Sequence, residues 1–184
     1  MKNLSRLLFV VVLLTSFSTT FAQDKNNPWA FTIGANAVDL YPVGEDAPQG
    51  DYFDEYFNVT DHWNIFPSLS TLSVSRYLSD GFTFTATGSL NRIDKVGSVD
   101  DPMGGESTIA KVDDLTYYGL DGRVSYSFMN LINSNSFDPY LGVGGGYTWV
   151  DDIGAGTLNG SLGFRYWFSE KIGIDVNSTY KHAL

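Results

Sequence analysis

Cysteine is absent from the 184 residues, which removes any disulfide scaffold and any thiolate metal site. Two histidines are too few for a multi-imidazole metal centre. Basic residues are scarce: 11 Lys and Arg stand against 21 Asp and Glu, for a net charge of −10. A protein that tracks a phosphate backbone needs a basic face, so no nucleic-acid partner is expected. Charge is low overall, at 17% of residues against 15% aromatics, a balance that disordered chains do not have. Past Ala22 no unbroken apolar run exceeds three residues, whereas a membrane helix needs about 20. What is left is one domain with one sizeable apolar surface, built without long helices.

The first 22 residues read as a leader. Lys2 and Arg6 precede the apolar run Leu7 to Leu14, and small polar residues then lead to Thr20-Phe21-Ala22, the pattern of a cleavable secretory signal peptide. Residues 1–22 are therefore expected to be removed, leaving 23–184 as the mature domain with a net charge of −12.

Beyond Gln23 the chain alternates with period two, in segments long enough to cross a membrane as tilted strands. In Trp29 to Tyr41 one face carries Trp29, Phe31, Ile33, Ala35 and Ala37. Phe82, Phe84, Ala86, Gly88 and Leu90 alternate with Thr83, Thr85, Thr87, Ser89 and Asn91. The same pattern recurs around Tyr118 to Phe128, Leu141 to Trp149, Leu158 to Phe168 and Ile172 to Tyr180. A further strand spans 64–78, where Pro67 implies a bulge or register break. Seven strands result. Asp80-Gly81 and Ser169-Glu170-Lys171 are tight connections, and residues 42–62 and 94–113 are long loops. Short and long connections alternate in this way in outer-membrane barrels.

Alternation does not say which face meets water. A soluble barrel points its apolar face inward, and a membrane barrel points it outward. Two features favour the membrane. Trp29, Trp63, Trp149 and Trp167 fall at or near strand ends with Tyr41, Tyr77, Tyr117, Tyr140 and Tyr180, where interfacial girdles place amphipathic rings. The polar face combines small residues with charges of both signs, Asp121, Arg123, Arg165, Asp175 and Lys181, as a lumen charge network would. If Ser169 to Lys171 is a three-residue hairpin loop, Phe168 pairs with Ile172, Arg165 stands opposite Asp175, and Gly160 faces Tyr180, whose ring would cover it.

The run Asp138-Pro139-Tyr140-Leu141-Gly142-Val143-Gly144-Gly145-Gly146-Tyr147-Thr148-Trp149 resembles the Pro-Tyr-x-Gly-x-Gly-x-Gly-Tyr strand of the OmpA-type membrane domain. Arg165-Tyr166-Trp167-Phe168, Ile172-Gly173-Ile174-Asp175, Ser178-Thr179-Tyr180-Lys181-His182 and Arg76-Tyr77-Leu78-Ser79-Asp80-Gly81 are similar to OmpA-family proteins of Bacteroidetes. The resemblance implies an all-β fold, an antiparallel transmembrane up-and-down β-barrel of the eight-stranded type, in a Gram-negative outer membrane with the long loops outside. It also implies an eighth strand and a peptidoglycan-binding periplasmic module. Neither follows Leu184, so the chain reads as a truncated gene product whose wall contact would need the missing C-terminal region.

Catalysis is not expected. His62 and His182 are the only imidazoles, and although Ser178 lies near His182, nothing marks a triad. Fourteen of the 21 acids fall in 42–62, 94–114 and Asp151-Asp152. Asp100-Asp101, Asp113-Asp114 and Asp151-Asp152 offer oxygen ligands for calcium or magnesium, but none has EF-hand spacing, so these loops read as solvated charge, with no metal and no cofactor. The glycines at 142 and 144–146 lie within a strand, unlike those of a phosphate loop. The expected role is a structural, non-catalytic outer-membrane barrel, contacting outer-membrane lipid and other envelope proteins. The alternatives are a narrow porin-like channel with an ion-paired lumen, a secreted soluble ligand-binding barrel with Phe82, Phe84, Val143 and Phe164 lining its cavity, and adhesion through the acidic loops.

Overall fold

The computed structural model describes residues 23–40, 57–99, 108–169 and 171–184. The expected leader 1–22, Tyr41, most of the first acidic loop and Asp100-Asp101 lie outside these residues. The described residues form nine strands: β1 (Trp29–Gly34), β2 (Ala37–Val38), β3 (Asn64–Ile65), β4 (Thr71–Ser79), β5 (Phe82–Val99), β6 (Thr108–Ser127), β7 (Phe137–Val150), β8 (Ile153–Trp167) and β9 (Gly173–Ala183). Seven of them make one sheet in the order β1-β4-β5-β6-β7-β8-β9, and β2 pairs with β3 separately. Every pairing is antiparallel.

The sheet curls toward its polar face. Strands three places apart in a flat sheet are separated by about 14 Å, yet Lys181 Nζ on β9 reaches Asp121 Oδ2 on β6 at 2.7 Å. The polar side chains are therefore on the concave face. Among the described residues β1 and β9 are left as edges, so these residues form an open, curled half-barrel rather than a closed eight-stranded barrel.

Turn chemistry sets the register at one end. Asp80 and Gly81 both take positive φ, 47° and 87°, in the tight connection between β4 and β5, with a slip between Tyr77 and Ser79. At the far end Asp151, at φ 52°, turns β7 into β8. The 169–171 loop closes with the Phe168 amide donating to the Ile172 carbonyl at 2.9 Å, and Arg165 consequently stands opposite Asp175 and Gly160 opposite Tyr180.

Three expectations change. The alternation over Trp29 to Tyr41 is not one strand: β1 stops at Gly34 because the Asn36 amide donates to Ser70 Oγ at 3.0 Å, and Ser70 Oγ donates to Asn36 Oδ1 at 2.7 Å. That clasp redirects the chain into β2. Residues 94–113 are not a loop throughout, since β5 continues to Val99 and β6 begins at Thr108. Tyr180 faces Gly160 without covering it, because a Cβ on Gly160 would meet nothing within 4 Å. Convex curvature spreads outer side chains apart, so register alone does not bring them into contact.

Burial is the inverse of that in a water-soluble domain. Among the described residues only Ile93, Tyr117, Met129 and Tyr140 are buried apolar or aromatic side chains, while 34 large ones are exposed. Twelve polar residues are buried, among them Asn91, Thr83, Thr85, Ser125, Asn159 and Asp138. Phe84, Val143 and Phe164, at 41%, 72% and 37% exposure, stand on the convex side and line no interior cavity. The concave side is held by hydroxyl pairs across neighbouring strands, Ser73 with Thr87 at 2.8 Å, Ser75 with Thr85 at 2.9 Å and Ser161 with Thr179 at 3.0 Å.

The β7 glycines are what let charged side chains fit there. A Cβ on Gly142 would meet Arg123 Cδ at 2.8 Å, one on Gly144 would collide with the Gly122 carbonyl, and one on Gly146 with the Asp121 carboxylate. On the convex face Gly88 has open space around it. Replacing Gly144 with alanine should therefore destabilise the fold by about 1–3 kcal/mol, whereas Gly88→Ala should be neutral or stabilising by up to about 1 kcal/mol. Denaturant unfolding of the refolded chains measures both.

Candidate functional site: two neutral charge clusters on the concave face

The five charged residues picked out from the polar face all project to the concave side, where they fall into two clusters. In the first, Lys181 Nζ donates to Asp121 Oδ2 at 2.7 Å, to the Tyr117 hydroxyl oxygen at 3.1 Å and to Thr148 Oγ1 at 3.3 Å. Asn159 Nδ2 donates to the other Asp121 oxygen at 2.8 Å. Gly119 makes the approach possible, since a Cβ there would lie 3.2 Å from the ammonium and 2.6 Å from Ser89 Oγ.

The second cluster is built around Tyr140, which is 2% exposed. Its hydroxyl donates to Asp175 Oδ1 at 2.8 Å and accepts from Arg123 Nη2 at 3.3 Å. Both guanidinium groups lie over its ring, Arg165 at 4.6 Å and Arg123 at 5.0 Å from the centroid, within the range where ring and cation attract. Arg165 bridges two carboxylates, Asp138 Oδ2 at 3.1 Å and Asp175 Oδ2 at 3.5 Å. Ser127 Oγ donates to Asp138, and Asn177 Nδ2 donates to Asp175 at 3.1 Å. Three cations thus face three carboxylates, and each cluster is neutral by itself.

Asp138, Tyr140 and Tyr117 are essential to this arrangement, and sequence reading missed their roles. Asp138 lies outside the alternating segment, and nearness to strand ends places Tyr117 and Tyr140 among the girdle aromatics. The parity of β6 and β7 carries the missing signal: Tyr117 shares a face with Asp121, and Tyr140 and Asp138 share one with Gly142, Gly144 and Gly146. The same parity puts Tyr77 and Trp167 on the concave side, both partly buried. Trp29, Trp149 and Tyr180 stand on the convex face and are exposed. Trp63 precedes β3, off the seven-stranded sheet.

A different aromatic band occupies the convex side. At the end carrying the tight β4–β5 and β8–β9 connections, Tyr126 packs against Phe82 and Phe128 with centroids 5.0 and 5.3 Å apart, Phe137 against Phe164 at 5.4 Å, and Tyr166 against Phe168 at 5.4 Å. Arg76 lies 5.3 Å over the Trp29 ring. At the opposite end Tyr147 packs on Trp149 at 4.5 Å.

The histidines are in unlike settings. His62 is fully buried with Nδ1 3.9 Å from Asp39 Oδ1, whereas His182 is exposed on β9 opposite Leu158. Asp114 pairs with Arg92 at 3.4 Å on the surface, and Asp151 and Asp152 form a turn. Among the described residues no three His, Asp or Glu converge as a metal site, and no helix is long and apolar enough to cross a membrane. No protein-family model, curated protein or solved structure matches the chain.

Arg165, at 12% side-chain exposure, holds Asp138 at 4% and Asp175 at 19%. Removing it leaves two carboxylates without their cation, so Arg165→Met should cost about 3–5 kcal/mol, the usual penalty for orphaning a buried charge. The triple variant Arg165→Met/Asp138→Asn/Asp175→Asn should recover much of that loss in the same unfolding measurement.

Proposed function

We propose that the chain forms the wall of an outer-membrane β-barrel of the OmpA type, delivered by a cleaved leader and without catalytic activity. The observation that carries this reading is the inverted burial: apolar side chains cover the convex face, and paired charges and hydroxyls fill the concave one. Each large apolar side chain left in water forfeits about 1.5–3 kcal/mol relative to burial, and hydrocarbon is the solvent that removes this cost along a whole sheet face. β5 to β9 run from 11 to 20 residues, and a tilted transmembrane strand needs about 9–11. The convex aromatic bands at the two ends suit membrane interfaces. Outer-membrane lipid is then the first partner, and a role in anchoring other envelope components or, through a further module, peptidoglycan rests on the OmpA resemblance.

Val143 provides the test, because it is the most exposed of the convex β7 side chains. On a water-facing surface Val143→Lys would change stability by no more than about 0.5 kcal/mol. In a bilayer it should cost about 2–4 kcal/mol near the midplane. Folding titrations of the mature chain into phospholipid vesicles distinguish these values. Full solubility of the folded chain without detergent would point instead to a secreted barrel.

A second reading, a narrow diffusion channel, is favoured by one observation: the concave face is predominantly polar and carries charges of both signs. Paired as found, the clusters obstruct the interior; rearranged, they would line a path. Ion currents in planar bilayers that change with Arg165→Ala support the channel, and absence of current in both proteins supports the anchor.

A further inference from the structure

We propose that β2, β3 and the residues leading into β3 form a plug that closes the interior at the mouth bearing the acidic loops, fastened by Asn64. The proposal rests on the barrel reading above. Asn91, on the concave face of β5 in line with Thr85, Thr87 and Ser89, donates to the Asn64 carbonyl at 2.9 Å and to Asn36 Oδ1 at 3.1 Å. The β2–β3 pair therefore sits inside the curl of the sheet. It is not a strand of the wall.

Asn64 uses its whole amide to hold this position. Nδ2 donates to the carbonyls of Lys95 at 2.8 Å, Val38 at 3.1 Å and His62 at 3.3 Å, and Oδ1 accepts from the amides of Asp94 at 3.0 Å and Lys95 at 3.1 Å. Those amides occur where the β5–β6 register slips, between Ile93 and Lys95. A slipped ladder leaves backbone groups without a strand partner, and Asn64 satisfies them. Lys95 Nζ adds a clasp on the carbonyls of Val59 and Thr60. Beneath the plug Asn91 and Ile93 are fully buried, and within it His62 is fully buried and Asn64 is 1% exposed. Ile93 belongs to the concave face of the wall, so its complete burial reports the plug directly.

The chain has no cysteine, so Ile93→Cys supplies a single thiol under the plug. With the protein folded in detergent, that thiol should react slowly with a water-soluble maleimide. Adding Asn64→Ala removes several hydrogen bonds at once and should raise the labelling rate by about tenfold or more. Planar-bilayer current should rise in the same variant. Should Asn64→Ala fail to fold, Lys95→Met, which loses only the outer clasp, should give a smaller increase of the same sign. A folded variant that labels and conducts like its parent would overturn the plug. A parent that never enters bilayers would overturn the membrane reading instead, and the labelling rates would still decide for or against the plug.

Discussion

The structure depends on the mutual neutralisation of three cations and three carboxylates inside a narrow curl. Charge buried without a partner costs several kcal/mol per ion, so each member fixes the position of another. Lys181 on the edge strand β9 finds its carboxylate on β6, and Arg165 on β8 links β7 to β9. The Lys181–Asp121 pair, and the hydrogen bond from Tyr140 on β7 to Asp175 on β9, span strands that are not neighbours, so they stabilise curvature, which ladder bonds between adjacent strands do not. The Tyr140 ring between two guanidinium groups fills the space that flatter packing would leave.

Room for these side chains is created by what β7 and its neighbours lack. Arg123 and Asp121 lie across the strand beside them because Gly142, Gly144 and Gly146 present bare backbone on that face. The same residues that resemble a phosphate loop in one dimension thus act as a floor in three. The convex side of β7 carries the larger Leu141, Val143, Tyr147 and Trp149, with Gly145 opposite Gly122 as the exception, so the wall is thinner on its concave side and the sheet can bend toward it.

Much of this was legible from period-two alternation: the seven strands of the main sheet, the two faces, and the opposition of Arg165 and Asp175, which follows from a loop of three residues. Alternation failed where side chains bond to backbone and override it. Asn36 and Ser70 interrupt β1, and Asn64 steadies a slipped register in β5, and neither has a periodic signature. Proximity to a strand end also misled the assignment of Tyr77, Tyr117, Tyr140 and Trp167, because depth along a strand and the face occupied are independent. Parity would have separated them. The six-charge set needs Asp138, which lies just ahead of the alternating segment that runs to Trp149.

Strand direction adds a constraint on how such a wall is sealed. Six antiparallel steps separate β1 from β9, so these two edges run the same way. Direct contact between them would make a parallel pair, without the hairpin geometry found elsewhere in the sheet. One strand running opposite to both would satisfy each edge with an antiparallel ladder, and any odd number of inserted strands would do the same. Within hydrocarbon the need is strict, since every open backbone group costs several kcal/mol. Lys181, placed on β9 but bonded to β6, already draws that edge inward and narrows the gap.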